Sequence, residues 1–279
     1  MNRLLRAELY KVFTTKLWWA LLIPVALIAS TMGFAGAAIA GLPSLVEGAG
    51  FVAPAVALTM PISMKWATIF AAILGLIGGA GEFRHKTITT TYLTGSPRGA
   101  VLAAKAVVYT AVGLAYGVIT ALLCSLGALI TSGTDSFPST MDTLAIATAG
   151  SAGVAAWTLL GVGVGMLISN QIVVLIVMLI YMLFLEGLIS LIMRIPQLGL
   201  DEFPPYLPGS GSTALQTGHG IEVFAERFGD EAFGLREALE GLVGVSGQLS
   251  WWAGGLLFAG YAALFLACGW FVGRQRDIT

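Results

Sequence analysis

Side chains that perform chemistry are scarce in this sequence of 279 residues. It holds two histidines and two cysteines, and only 10% of its residues are charged. Three catalytic or metal-binding patterns are absent: a Gly-x-x-x-x-Gly-Lys-Ser/Thr phosphate loop, a Gly-x-Ser-x-Gly nucleophile elbow and cysteines at zinc spacing. We therefore expect that the chain is not itself an enzyme, and that it holds no cofactor and no metal ion.

One acidic residue stands inside an apolar run. Glu186 lies about two-thirds of the way along Ile172–Met193. A charged group inside a membrane is costly, and such residues often face a bundle interior or a water-filled path. Glu186 is therefore a candidate pathway residue. Two alternatives stay open: a protonated carboxyl group hydrogen-bonded to a neighbour, or a side chain that reaches the outer interface.

Both signs of charge are mixed most densely in segment 81–99, between two apolar runs. A simple turn between membrane spans needs only a few polar residues. This segment also contains threonines, aromatic residues and a Gly-Ser-Pro sequence that breaks a helix. It is therefore predicted to contact another protein. Its candidate docking residues are Glu82, Phe83, Arg84, His85, Lys86, Thr87 and, after the break, Arg98.

The elements that must position these residues are six apolar runs. A bilayer-crossing helix needs roughly 20 mostly apolar residues, and each run meets that length approximately. Soluble domains carry about 25% charged residues, so this composition excludes a soluble enzyme and a nucleic-acid binder. We predict an all-α polytopic membrane protein with six transmembrane helices. The runs are Leu17–Ala40, Ser63–Ala80, Ala100–Thr131, Leu144–Ile168, Ile172–Met193 and Leu249–Val272.

Three segments need separate interpretation. Leu17–Ala40 follows basic residues, as a signal peptide would, but its apolar core is about twice the 7–15 residues of a signal sequence. We therefore expect an uncleaved first span. The run Ala100–Thr131 exceeds one crossing, so it should tilt or project from the membrane. Gly41–Ile62 contains three prolines and is predicted to be an interfacial or outward loop.

The distribution of charge predicts the orientation. An even number of spans places both termini on one side. The segments on that side hold ten basic and three acidic residues, a net charge of +7. The other side holds four basic residues, Lys65 among them, and eleven acidic residues, a net charge of −7. Because cytoplasmic segments carry the excess of Lys and Arg, both termini are expected in the cytoplasm.

The chain is thus divided into residues 1–16, a cytoplasmic helix, and a six-span domain, residues 17–279. In the first part Leu5, Leu9, Val12 and Phe13 follow helical spacing. The basic residues of this part lie mostly on the other face, which is typical of a helix on an anionic membrane surface. It is either a membrane anchor or a docking element for a partner. Its basic residues include Arg3, Arg6 and Lys11.

The largest segment outside the membrane is residues 194–248, an extracellular helical loop between the fifth and sixth spans. Gly209-Ser210-Gly211-Ser212 is predicted to be flexible. From Ile221 onward, apolar residues recur at helical spacing and predict two short amphipathic helices divided near Gly229 and Gly234. We interpret the loop as a cap over the outer membrane face; a substrate-binding domain is the alternative.

The sequence resembles the ABC-2 type permease family, the membrane subunits of bacterial ABC exporters. The resemblance is carried by the N-terminal Arg6-Ala7-Glu8-Leu9-Tyr10-Lys11 and by Gly81-Glu82-Phe83-Arg84-His85-Lys86-Thr87-Ile88 at the end of the second span. It also includes Ser96-Pro97-Arg98, Ala104-Lys105 and Tyr206-Leu207-Pro208. The resemblance covers nearly the whole chain. The long acidic outer loop departs from it and leaves the substrate type open.

The resemblance implies a subunit of a type V exporter in the bacterial cell membrane. Two copies of this chain, or this chain and a paralogue, would dock on two separately encoded ATPase subunits that bind ATP and Mg²⁺. Residues 82–93 would form the coupling region that responds to motion of the ATPases, and residues 2–16 would form the interfacial connecting helix. A small-molecule drug, lipid or peptide would pass between facing spans of the two permeases, the second and fifth in such folds.

Two other functions remain open alongside ATP-driven export. One is a proton-coupled carrier that uses Glu186 and Lys65; such carriers are ordinarily larger or internally repeated. The other is a membrane subunit that anchors an ATPase, or signals for it, without moving a substrate. A co-purifying ATPase would separate the first and last from the carrier.

Overall fold

The computed structural model describes residues 2–41, 52–84, 98–168, 170–228, 239–241 and 249–275. These residues form helices and connecting turns, and no strand occurs among them. A π-helical turn, Tyr181–Leu185, joins the helices Gln171–Ile180 and Glu186–Met193. The helices are α1 (Asn2–Thr14), α2 (Leu17–Ala40), α3 (Val56–Arg84), α4 (Arg98–Ser132), α5 (Thr140–Leu167), α6 (Gln171–Ile180), α7 (Glu186–Met193), α8 (Pro208–Glu226) and α9 (Trp251–Gln275).

The six predicted spans are confirmed as helices long and apolar enough to cross a membrane. They are α2, α3, α4, α5, the continuous segment from α6 through α7, and α9. The first span has the predicted bounds, Leu17–Ala40. The third, α4, extends over 35 residues, or about 52 Å at 1.5 Å per residue, so it exceeds a hydrocarbon core of about 30 Å.

The second span begins earlier than predicted. Helix α3 starts at Val56, inside the segment Gly41–Ile62 that the prolines had suggested was a loop. The loop prediction is therefore wrong from Val56 onward, and residues 42–51 lie outside the described part of the chain. The residues of this first part of α3 are almost all buried in the bundle core.

Pro61 lies inside α3 without ending it. Proline has no N–H for the carbonyl four residues earlier, which is that of Ala57. This carbonyl faces Gly220 of α8 so closely that a Cβ atom there would lie 2.1 Å from the oxygen. A glycine permits this approach, and its Cα–H group can contact the oxygen. Tertiary packing therefore makes the proline tolerable, as it does in other membrane helices.

Helices α3 and α5 form the centre of the bundle and pack through glycines. A Cβ atom at Gly75 of α3 would lie 2.0 Å from the Thr158 carbonyl oxygen of α5. In return, Gly161 of α5 lies against the Ala72 carbonyl of α3, where a Cβ atom would come within 2.4 Å. Small residues allow such close backbone contact, which is the main source of helix association in membranes.

The contact at Gly75 leads to a first prediction. Gly75→Ala should lower the free energy of unfolding by about 1–3 kcal/mol, because the new methyl group must push the two helices apart. The matched control is Gly260→Ala on α9, where no described atom lies within 4 Å of the added Cβ. That control should be neutral or gain up to about 1 kcal/mol from helix propensity. Unfolding in mixed micelles, followed by tryptophan fluorescence, measures both; equal effects would contradict the close contact.

The fifth span lies at the edge of the bundle. Most of its side chains are exposed, whereas those of α3 and α5 are mostly buried. Its first part contacts α3, and its last part approaches the turn Pro204–Tyr206 before α8. A space therefore remains between the fifth span, α3 and α8.

Helix α8 differs from the predicted outer loop. It is one helix that begins at Pro208 and ends at Glu226, and it packs against α3, α5 and α9. Residues 209–212, predicted to be flexible, form its first turn and are partly or fully buried. The first of the two predicted helices therefore starts a full three turns before Ile221. Of the second, only the helical residues 239–241 are described.

Candidate functional site

A cavity of about 650 Å³ lies between α3, the fifth span and α8. This volume is in the range of ligand-binding pockets, about 300–1,000 Å³. The cavity occupies the half of the bundle away from the two termini, and three of its wall residues, Trp66, Leu183 and Leu191, are exposed. It therefore opens to the outside of the bundle between α3 and the fifth span. Its polar wall residues include Lys65, Glu186, Ser190, Arg194, Ser212 and Gln216.

Glu186, the candidate pathway residue, is in the wall of this cavity and is 9% exposed. Its carboxylate accepts two backbone hydrogen bonds, at 2.8 Å from the N–H of Gly209 and at 2.6 Å from the N–H of Ser210. These groups belong to the first turn of α8, where N–H groups have no partner within the helix and the helix dipole favours a negative charge. Glu186 is therefore hydrogen-bonded to neighbouring groups as an acceptor, and it also lies in the cavity wall, so its role as a pathway residue stays a prediction.

The residue at position 209 must be small for this contact to form. A Cβ atom on Gly209 would lie 2.3 Å from a carboxylate oxygen of Glu186. The glycine that had suggested flexibility therefore serves a close approach between two elements. The contact joins the fifth span to α8 across 23 residues of sequence.

Two further side chains act on the same carboxylate. Tyr181, in the π-helical turn, is close enough to Glu186 to interact with its carboxylate electrostatically. Lys65 attracts it electrostatically. Lys65 had been counted with the outer segments, but it lies about two and a half turns inside α3 and in the cavity wall. Sequence reasoning missed Tyr181, because nothing in its local sequence announces a π-helical turn; such turns are frequent at functional sites.

The candidate docking residues lie at the other end of the bundle. Residues 82–84 are the last residues of α3, and Arg98 is the first residue of α4. His85, Lys86 and Thr87, with the rest of segment 85–97, lie outside the described residues. Gly78 of α3 packs against the ring of Tyr109 on α4, so the last part of α3 and the first part of α4 are neighbours.

A buried ion cluster joins α1 to α4 beside those helix ends. Glu8 is 3% exposed, and its two carboxylate oxygens accept hydrogen bonds from Lys11 at 2.7 Å and from Lys105 at 3.0 Å. The Lys105 side chain is itself buried, and its ammonium group lies 5.7 Å from the centre of the Tyr109 ring. The position of Glu8 three residues before Lys11 was the available signal, but the sequence indicated neither the burial nor Lys105 as the partner.

The cluster changes the interpretation of α1. Its buried residues are Glu8 and Val12. Of the predicted apolar stripe, Val12 is buried against the bundle, whereas Leu9 and Phe13 are exposed, so contact of these two residues with a membrane surface stays a prediction. The predicted basic residues of α1 also differ in their surroundings. Arg3 and Arg6 are exposed, whereas Lys11 pairs with Glu8.

Comparison with known proteins adds no family to this description, since no family model and no curated protein matches the chain.

Proposed function

We propose that the chain is the membrane-spanning permease subunit of an ATP-driven bacterial exporter. The observation that carries the proposal is the cavity between the second and fifth spans, which has charged residues in its wall and opens to the outside of the bundle. A helix bundle that serves only as an anchor has no need to keep buried polar groups around an open space in its membrane-spanning part, because each of them is costly there.

The ion cluster at the opposite end provides the second support. It fixes α1 to α4 next to the helix ends that flank the candidate docking segment. A force applied to that segment by a motor protein would therefore reach α1 and α4 together. A membrane carrier driven by protons has no need of such a rigid assembly at one end.

The proposed complex has two permeases and two ATPases. A single six-span bundle encloses little pathway, and a twofold interface between two copies, or between this chain and a paralogue, completes it. ATP and Mg²⁺ bind to the ATPases. Their closure pushes segment 81–99 and α1 and shifts the bundles between inward- and outward-facing arrangements. Both termini lie in the cytoplasm in this arrangement.

The test is co-purification followed by transport. The chain, tagged and solubilised in mild detergent from its native membrane, should bring down an ATPase subunit. The reconstituted complex should then move a substrate into inside-out vesicles with ATP, and a complex with a nonhydrolysing ATPase variant should not. Absence of any nucleotide-binding subunit would contradict the proposal. Co-purification without ATP-dependent transport would instead favour an anchoring subunit.

A further inference from the structure

Among the residues that the structure describes, the wall of the cavity has more cationic than anionic groups. Lys65 and Arg194 contribute two positive charges and Glu186 one negative charge. The Glu186 carboxylate is already engaged by the first turn of α8. Arg194 is exposed, and within the described ranges it has no salt-bridge partner. The surplus of positive charge therefore favours an anionic group in the cavity.

A buried hydrogen-bond donor in the cavity wall also favours a ligand with acceptor oxygens. Gln216 is 2% exposed, lines the cavity, and its amide nitrogen has no hydrogen-bond partner in the described part of the chain. A buried donor without a partner costs about 1–3 kcal/mol. The nitrogen lies against Gly153 of α5. Because the terminal torsion of glutamine is soft, rotation of the amide turns this donor toward an acceptor in the cavity.

The remaining wall is apolar and continues to the surface of the bundle. Ile69 and Trp66 of α3 face Met182, Leu183 and Leu191 of the fifth span around the opening. Because exposed side chains of a membrane span face the lipid, an apolar chain can leave the cavity there without meeting water. A compact inorganic anion would leave this part of the cavity unfilled.

From this combination we infer that the cavity binds an amphipathic anion: a head group with several acceptor oxygens and one apolar chain that extends between α3 and the fifth span. The inference names a substrate class for the proposed permease and rests on that function. Lys65, Arg194 and Gln216 supply the cations and the donor for the head group, while Trp66 and Leu183 contact the chain.

The experiment uses the purified full chain alone, in nanodiscs of neutral lipid, so that it can fail independently of ATPase docking and transport. The probe is dodecyl phosphate with a photoactivatable diazirine in its alkyl chain, and labelled peptides are mapped by mass spectrometry. Labels are expected on α3 and the fifth span. Unlabelled dodecyl phosphate should compete, whereas dodecyltrimethylammonium and inorganic phosphate should not.

Arg194→Gln is expected to weaken the competition by dodecyl phosphate about fivefold, the effect of one charge-assisted contact at an exposed position. The matched control, Arg227→Gln, removes an exposed charge just after the other end of α8 and should have no effect. Gln216→Met should also weaken binding, while the unfolding temperature stays equal or rises. Equal competition by the cation or by inorganic phosphate, or equal effects of Arg194→Gln and Arg227→Gln, would overturn the inference.

Discussion

Replacement of Glu8 by alanine is expected to lower the free energy of unfolding by about 3–5 kcal/mol, because it removes the carboxylate that pairs with the buried ammonium group of Lys105. Lys11 is half exposed and can turn to water, but Lys105 is buried at its place in α4. The lost contact also removes the main polar connection between α1 and the bundle. If α1 takes part in coupling, transport should fall more than ATP hydrolysis does.

A double variant separates the effect of charge from that of packing. Glu8→Ala combined with Lys105→Met should recover most of the lost stability, since replacing both members of a buried ion pair by apolar groups is often neutral or stabilising. Arg6→Ala, at an exposed position of the same helix, is the control and should change stability by less than about 0.5 kcal/mol. Unfolding in mixed micelles measures all three. If Glu8→Ala alone is as stable as Arg6→Ala, the ion cluster does not stabilise the packing of α1 on the bundle.

The second large effect is expected for Glu186→Gln, which should lower the free energy of unfolding by about 2 kcal/mol. The glutamine has the same shape but cannot offer two acceptor oxygens to Gly209 and Ser210, and it removes the charge that the N-terminus of α8 favours. One of the two N–H groups would face the amide NH₂ group instead of an acceptor. The first turn of α8 should therefore fray, and the cavity should lose one wall.

Hydrogen exchange measures the stability of the first turn of α8 separately from that of the whole bundle. In Glu186→Gln the amides of residues 209–212 should exchange faster, while those at the centre of α3 and α5 keep their protection. The matched control is Glu226→Gln, an exposed acid at the last residue of α8, where the helix dipole does not favour a negative charge. Protection of residues 209–212 that is unchanged in Glu186→Gln would show that the first turn of α8 is stable without the carboxylate.

The spans themselves could be predicted from the sequence, because length and hydropathy are local properties. The bounds of Leu17–Ala40 are correct to the residue. The start of α3 could not be predicted, since the Ala57 carbonyl that Pro61 leaves without its helical partner lies against Gly220, far along the chain. A proline therefore indicates a loop only where no neighbouring helix compensates for the missing hydrogen bond.

At the cavity, too, some features could be predicted from neighbouring residues in the sequence, whereas others depend on residues far along the chain. That Glu186 is unusual follows from its apolar neighbourhood in the sequence. That it caps α8 does not, because its partners are backbone groups in a Gly-Ser-Gly-Ser segment with low helix propensity. In the structure the segment forms the first turn of a helix, with its N–H groups bonded to a carboxylate from another span. Tyr181 beside Glu186 and Gln216 in the cavity wall likewise have no local signal for their positions.

The bond between Glu8 and Lys105 also imposes an order on biosynthesis. The two residues are 97 positions apart, so α1 cannot dock until α4 has left the ribosome and entered the membrane. Until then both charged groups are hydrated at the membrane surface and bear none of the desolvation cost of burial. The N-terminal helix, although synthesised first, thus takes its place only after the third span has entered the membrane. Its docking marks the point at which the first three spans are assembled.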